Sequence, residues 1–184
     1  TLPEIKANQL SGPDVSLQLS FNALNVQDSG FGKGWNLQLS QFDPRSGALS
    51  LHTGETFTVK VSLDGTELTI PEKKIDSFHF YKLGDKRYRI DHKSGLIEIL
   101  EVGQGEIAMP VQMLSPQGHS VTLEYVAFGT DPLLSSIRNA DGTQLLSMTR
   151  TTNVLTLTLH PGTAFEARFV LNINDGQTTS IVLP

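Results

Sequence analysis

The feature that most constrains this chain is a period-two alternation of apolar and polar residues that runs from end to end. Two clear runs carry the apolar residues Val15, Leu17, Leu19 and Phe21, and then Trp35, Leu37 and Leu39. Successive side chains of a strand point to opposite faces, so each run predicts a strand with one apolar and one polar face. The i, i+3, i+4 spacing of an amphipathic helix is hard to find, and the alternation therefore predicts an all-β chain.

Turn residues separate these runs at short intervals. The pairs Asp64-Gly65, Asp141-Gly142 and Asp175-Gly176 supply the backbone conformations with positive φ that tight hairpins need. Strand–turn spacing of this kind is typical of a sandwich, a barrel or a long meander, and periodicity alone does not separate the three. We predict a mostly antiparallel meander of β-hairpins that forms a curved, shell-like sheet or a sandwich. Residues 1–184 are expected to form one all-β region, and any internal boundary is expected in the glycine-rich stretch 102–106.

Composition and charge exclude several classes of protein. The net charge is −5 and no run of Lys or Arg is longer than a pair such as Lys73-Lys74, so a nucleic-acid partner is not expected. There are no cysteines, which excludes disulfides, zinc-thiolate sites and thiol nucleophiles. No apolar stretch reaches the length of about 20 residues that a membrane-spanning helix needs, and the first residues lack the pattern of an export signal.

The polar residues suggest no catalytic or metal centre. The five histidines, His52, His79, His92, His119 and His160, stand singly, and no two have the i, i+2 or i, i+4 spacing that sets ligands side by side. A metal site would require distant strands to meet. No motif pairs a nucleophile with its base, so we predict no catalytic residues, no metal, no cofactor and no enzymatic activity.

Three closely spaced glycines, Gly30, Gly32 and Gly34, superficially suggest a phosphate-binding loop. They lead into a strand at Trp35, however, and a phosphate cradle needs the amides and dipole of a helix N-terminus. We predict a tight turn in which backbone segments crowd together and which directs Trp35 into the core.

The stretch Ser29–Leu37, with the strand before it and Leu39–Asp43 after it, resembles the N-terminal region of RHS-repeat (YD-repeat) proteins. In that family a Gly-x-Gly-Trp phrase followed by an alternating strand opens the repeat array. The segments Leu49–Phe57 and Tyr88–Glu98 resemble the repeat hairpins, and the resemblance extends over most of residues 13–150. Relatives include polymorphic toxins and the B/C components of insecticidal toxin complexes, whose strands spiral into a hollow shell around a toxic C-terminal domain.

The resemblance implies a structural segment of a bacterial shell that encloses or presents a C-terminal toxin or effector, without catalysis of its own. Its partners would be the remainder of a larger polypeptide or a neighbouring sheet edge, and its location would be secreted or at the cell surface. The family's aspartyl autoprotease has an Asp-Pro-x-Gly motif late in the array. Asp43–Gly47 is superficially similar but lies at the opposite end, so we interpret it as a turn between strands.

The alternative function is a β-sandwich module that binds carbohydrate or a cell surface. Phe78, Phe80, Tyr81 and Tyr88 are the candidate ligand platform, because aromatic rings on a sheet face can stack on sugars. Phe78 and Phe80 share one face of a strand and would lie opposite Tyr88 or Ile90 in a hairpin. The competing interpretation of the same pattern is an aromatic core.

Overall fold

The computed structural model describes residues 13–15, 17–60, 68, 70 and 77–184, and these form antiparallel β-sheets. The predicted all-β class is therefore confirmed. No helix among the described residues is long and apolar enough to cross a membrane. The predicted Asp64-Gly65 turn lies outside the described residues.

The strands in chain order are β1 (Leu19–Phe21), β2 (Trp35–Leu37), β3 (Gln41–Asp43), β4 (Ala48–Ser50), β5 (Thr56–Thr58), β6 (Phe78–Gly84), β7 (Arg87–His92), β8 (Ile97–Val102), β9 (Ala108–Leu114), β10 (Ser120–Phe128), β11 (Asp131–Asn139), β12 (Gln144–Arg150), β13 (Val154–Leu159), β14 (Ala167–Asn174) and β15 (Gln177–Val182). Strands β1 and β2 form a separate two-stranded sheet, and the others form one sheet of 13 strands. From β9 to β15 each strand pairs with the next along the chain, as a meander requires.

Strand β9 is the branch point of the large sheet. It pairs with β8 along its length, from Ile97↔Leu114 to Val102↔Ala108. Strand β10 pairs with β9 only at residues 112–114, and β3 meets it only at Phe42↔Ala108. Since a strand has two edges, β3 and β10 share the edge opposite β8, and the sheet forks there.

The fork accommodates a proline inside a strand. Pro110 lies between the two points where β9 pairs with β3 and β10, next to a shift in the β8–β9 register. The carbonyl oxygen of Pro110 accepts a hydrogen bond of 2.6 Å from the Tyr125 hydroxyl of β10. Burial raises the pKa of Tyr125, with a smaller contribution from the negative charge of Glu98, so this hydroxyl remains a proton donor. A side chain of β10 thus supplies a hydrogen bond to the backbone of β9 at its proline.

Two hydrophobic cores lie on opposite faces of β9. We call the first the leucine-rich core; its members include Val15, Leu17, Phe31, Met109, Met113, Leu123, Leu146 and Leu155. We call the second the aromatic core; its members include Phe42, Leu49, Phe78, Phe80, Tyr88, Ile90, Leu100 and Ala108. The adjacent residues Ala108 and Met109 belong to different cores, as expected for successive residues of a strand.

Two of the predicted Asp-Gly turns lie in the described residues, and both contain residues with positive φ. Asp175 and Gly176 have φ of 50° and 75°, so both central residues of the β14–β15 turn adopt positive φ. In the β11–β12 turn, Asp141 accepts a hydrogen bond from the Thr143 amide and Gly142 has φ of 87°. In the stretch 102–106, β8 ends at Val102 and a 3₁₀ turn follows at Gln104–Glu106. The next strand, β9, pairs with β8. An internal domain boundary there stays a prediction.

Candidate functional site

The most unusual polar group of the described chain is the side chain of Glu98, in the middle of the large sheet. Glu98 is 0% exposed and lies on β8, which pairs with strands on both sides. It precedes Leu100 by two residues, so the two share a face, and Leu100 belongs to the aromatic core. A carboxylate therefore occupies an apolar position, where it is costly unless polar groups compensate it.

Three polar residues surround this carboxylate. The Ser40 hydroxyl donates a hydrogen bond of 2.8 Å to Glu98 Oε2, and His92 Nε2 lies 2.7 Å from the same oxygen. Ser40 Oγ also accepts a hydrogen bond of 3.0 Å from the backbone amide of His52. The rings of His52 and His92 meet edge to face, with centroids 5.2 Å apart. We call Ser40, His52, His92 and Glu98 the buried polar cluster.

Four different parts of the chain build the cluster. Ser40 precedes β3 and is fully buried, whereas His52 is half-buried in the turn that links β4 to β5. This turn is closed by hydrogen bonds between the Leu51 amide and Glu55, and between the Gly54 amide and Leu51. His92 ends β7 with its side chain 11% exposed. The cluster thus joins the β3–β5 segment to the hairpin of β7 and β8.

The geometry of the cluster argues against nucleophilic catalysis and for cation binding. Ser40 donates its hydroxyl proton to a carboxylate, so no imidazole base is positioned on its oxygen. One nitrogen each of His52 and His92 and one oxygen of Glu98 lie within 4.8 Å of one another. Glu98 Oε2 accepts the hydrogen bond from Ser40, whereas Glu98 Oε1 is buried and accepts no hydrogen bond. Two imidazoles and a carboxylate are a donor set that suits transition metals.

Sequence reasoning missed this cluster. It predicted no metal ligands because the histidines stand apart in the chain, although it noted that distant strands would have to meet. The structure brings His52 and His92 together across the sheet, and Glu98 supplies the acidic group between them. The available signal was Glu98 itself, an acidic residue directly between Ile97 and Ile99.

Three of the four rings in the predicted ligand platform are in the core. Phe78 and Phe80 are each 1% exposed and Tyr88 is 4% exposed. Phe80 and Tyr88 stack with centroids 5.6 Å apart, and Phe42 meets both edge to face. Tyr81, on the other face of β6, is half-buried. These residues form no exposed platform, because the sheet closes over their shared face.

The glycine turn at Gly30, Gly32 and Gly34 fastens the N-terminal segment to the far end of the sheet. All three glycines are buried and have φ of 121°, 93° and 83°. A Cβ at Gly30 would lie 2.5 Å from Leu133 Cδ1, and one at Gly32 would lie 2.9 Å from the backbone nitrogen of Thr178. The prediction of a turn with crowded backbone agrees with this geometry.

Hydrogen bonds and an ion pair fix the same turn. The Lys33 amide donates to the Gly176 carbonyl at 2.6 Å, and the Thr178 hydroxyl donates to the Phe31 carbonyl. Asp28 Oδ1 accepts from the amides of Gly30 and Gly32 at 2.8 and 2.9 Å. Asp28 Oδ2 lies 3.2 Å from the Arg150 guanidinium, whose side chain is 8% exposed.

The turn buries a different aromatic residue from the one we predicted. Phe31 is 3% exposed and belongs to the leucine-rich core. Trp35 is only half-buried and packs beside that core, with its ring centroid 5.0 Å from that of Phe21. The positive φ of Gly30 and Gly32 on either side of Phe31 points this residue inwards, and Trp35 begins β2 of the two-stranded sheet.

A polar cleft of about 620 Å³ lies between the small sheet and the fork in the large one. Amide side chains of Asn25, Gln27, Asn36, Gln38 and Gln41 line it. Two aromatic residues also line it, the buried Phe31 and Tyr125, whose hydroxyl donates to Pro110. The cleft therefore offers mainly hydrogen-bonding amide groups.

Asp43–Gly47, which superficially matched the autoprotease motif, forms the turn between β3 and β4. Asp43 accepts hydrogen bonds from the amide and the guanidinium of Arg45. The Arg45 guanidinium is the main reason that the pKa of Asp43 lies below its ordinary value of 3.8.

Comparison with solved structures shows a fold relationship over nearly the whole chain. The chain is similar to the N-terminal domain of effector protein SpvB from Salmonella typhimurium strain LT2, with a TM-score of 0.68. The match covers 97% of this chain and 96% of that domain at 9% sequence identity, so it shows a shared fold. No protein-family model and no curated protein matches the sequence. The resemblance to RHS-repeat proteins stays a prediction.

Proposed function

We propose that this chain is a structural segment of a bacterial effector or toxin polypeptide, in which its large sheet helps to enclose or present a following toxin or effector domain. The observation that carries the proposal is the match of the whole chain to the N-terminal domain of an effector protein. The resemblance of Ser29–Leu37 to RHS-repeat proteins supports the same function. We further propose that the segment has no catalytic activity and acts outside the bacterial cell or at its surface.

The open edge of the sheet supports this role. Strand β15 ends the strand order, and among the described residues it pairs as a strand with β14 alone, while the glycine turn contacts its first residues at Thr178. Ile181 and Val182 on this strand are 42% and 52% exposed. Unpaired edges with apolar residues favour pairing with further chain, which is the behaviour that a wall segment needs. We therefore propose that β15 contacts the remainder of the polypeptide.

A cleavage experiment tests the proposal. A protease site is inserted between this segment and the polypeptide that follows it in its natural gene, the purified protein is cut, and size-exclusion chromatography shows whether the pieces stay together. We expect them to co-elute, because the sheet holds the following domain. Separation of the wild-type pieces at low micromolar concentration would overturn the proposal.

Two variants identify the contact. Lysines in place of both Ile181 and Val182 should release the cut pieces, because charged side chains would have to enter the edge contact. Phe165→Lys is the control, because Phe165 is 81% exposed but precedes β14 and lies off the edge strand. If the double variant stays associated as tightly as this control, β15 is not the contact.

A second candidate function is carbohydrate binding, as the sequence suggested. The observation that favours it is the amide-lined cleft, since amide side chains hydrogen-bond sugar hydroxyls. The predicted aromatic platform no longer supports it. A glycan array tests it: binding should be lost in Gln41→Ala and kept in Gln117→Ala, a change in the exposed turn between β9 and β10. An array without any bound glycan would exclude it for the glycans tested.

A further inference from the structure

We infer that the buried polar cluster binds one divalent transition-metal ion, with Zn²⁺ as the expected occupant, through His52, His92 and Glu98. The three side chains bring one candidate ligand atom each to within 4.8 Å of the others. Zinc bound by nitrogen and oxygen at about 2.0–2.2 Å in a tetrahedron requires ligand atoms roughly 3.4 Å apart. The most widely separated ligand atoms therefore need to approach each other by up to about 1.4 Å. His52 can move by side-chain rotation, because it lies in a half-exposed turn.

The buried carboxylate is the independent observation that points to a cation. Glu98 is fully buried, yet its Oε1 accepts no hydrogen bond. A buried acceptor without a partner is costly, and a buried negative charge more so. No lysine or arginine is paired with Glu98 among the described residues. A divalent ion between the two imidazoles would neutralise this charge and use the acceptor.

The donor set selects the class of metal. Imidazole nitrogen and carboxylate oxygen suit zinc and its neighbours in the first transition series, whereas Mg²⁺ and Ca²⁺ prefer oxygen ligands alone. Three protein ligands leave one position of a tetrahedral site for water. Ser40 is a positioning residue, because its hydroxyl donates to Glu98 Oε2 and its oxygen accepts the amide of His52. Binding at His92 Nε2 releases any proton carried there to solvent.

The ion would connect parts of the chain that are distant in sequence. His52 lies between β4 and β5, while His92 and Glu98 flank the turn of the β7–β8 hairpin. Strands β3 to β5 have only three residues each, and β3 meets β9 at a single residue pair. A metal cross-link would stabilise this short-stranded part of the sheet.

The test uses the chain without a histidine tag, freed of metal by a chelator and titrated with Zn²⁺ alone by calorimetry and thermal unfolding. We expect one Zn²⁺ per chain and, at a free concentration about 100 times Kd, a rise in Tm of about 5–10 °C. Mg²⁺ at the same concentration should leave Tm unchanged. Absence of both heat and a Tm shift with Zn²⁺ would overturn the inference.

Variants separate this site from adventitious binding. His52→Ala and Glu98→Gln should each weaken Zn²⁺ binding by more than about 10-fold, and Ser40→Ala by about 10-fold. His119→Ala is the matched control, because His119 is exposed in the turn before β10, and its Kd should be unchanged. Circular dichroism verifies that each variant folds. Zinc affinity unchanged in both His52→Ala and Glu98→Gln would assign the ion to another part of the chain and contradict the inference.

Discussion

The two cores of the large sheet differ in side chains and in strand pairing. The leucine-rich core lies under long strands, β10 to β14, that pair in chain order. The aromatic core combines the β6–β8 hairpins with three-residue strands, whose strand pairing to the rest of the sheet within the described residues is Phe42↔Ala108. Long strands are held by many backbone hydrogen bonds, whereas short strands depend on the side chains that they bury.

Large aromatic side chains and buried polar groups hold the short strands β3 to β5 against the rest of the sheet. Where few backbone bonds hold a segment, Phe42, Phe80 and Tyr88 interlock with centroid separations of 4.8 to 5.6 Å. Aromatic pairs of this kind contribute roughly 0.5–1.5 kcal/mol beyond burial alone. The buried polar cluster borders the same segment and joins it to the hairpin of β7 and β8.

The largest expected loss of folding stability comes from replacing one buried aromatic ring or one buried leucine with alanine. Phe80→Ala should lower the free energy of unfolding by about 3–5 kcal/mol and Leu146→Ala by about 2–5 kcal/mol, because both side chains are fully buried. Urea unfolding is followed by circular dichroism and by the fluorescence of Trp35, the only tryptophan, which packs beside the leucine-rich core.

We expect the two cores to unfold together, since β9 contributes to both. Phe80→Ala should therefore shift the Trp35 fluorescence transition as far as the circular dichroism transition. If the fluorescence midpoint stays at its wild-type value, the cores are separate units and the comparison concerns two domains.

The second prediction compares a buried ion pair with an exposed one. Asp28→Ala should cost about 3 kcal/mol, because it leaves the largely buried Arg150 without its carboxylate. Glu124→Ala should cost less than about 1 kcal/mol, because Glu124 and its partner Arg138 are 50% and 41% exposed. Chemical unfolding of both variants measures the difference, and equal losses would show that the glycine turn does not depend on this pair.

The third prediction isolates the close approach at Gly32. Gly142→Ala should cost about 1–2 kcal/mol for positive φ alone, since nothing lies within 4 Å of the added Cβ. Gly32→Ala, at a similar φ, should cost about 1–3 kcal/mol more, because its Cβ would meet the backbone of Thr178. Unfolding free energies of the two variants are compared directly, and similar values would mean that the turn moves away from β15 easily.

The smallest expected effect concerns two turn carboxylates, one in each half of the sheet. The pKa of Asp43 is lowered mainly by Arg45, and that of Asp141 mainly by the backbone amide of Thr143. A carboxyl with a lowered folded-state pKa adds stability above its unfolded pKa, near 3.8, and loses it as the pH falls through the folded value.

Arg45→Ala distinguishes the two causes. NMR titration should show the pKa of Asp43 rising towards 3.8 in this variant while that of Asp141 stays low. A parallel rise at Asp141 would contradict the local origin of the two shifts.

The sequence predicted the meander of the C-terminal strands better than the aromatic core and the buried polar cluster. Alternation along Val154–Leu159 and the Asp175-Gly176 pair predicted the meander, because both depend on neighbouring residues. The burial of Phe78, Phe80 and Tyr88 and the meeting of His52 with His92 depend on contacts between distant strands. Periodicity contains no information on which face of a strand another segment will cover, so those features needed the structure.

The most direct test of the proposed structural role is cryo-electron microscopy of the natural polypeptide that contains this segment. We predict that the 13-stranded sheet forms part of a wall against the following domain, with the edge of β15 paired or covered. A segment that is tethered only by a linker, with Ile181 and Val182 still facing solvent, would contradict the structural role.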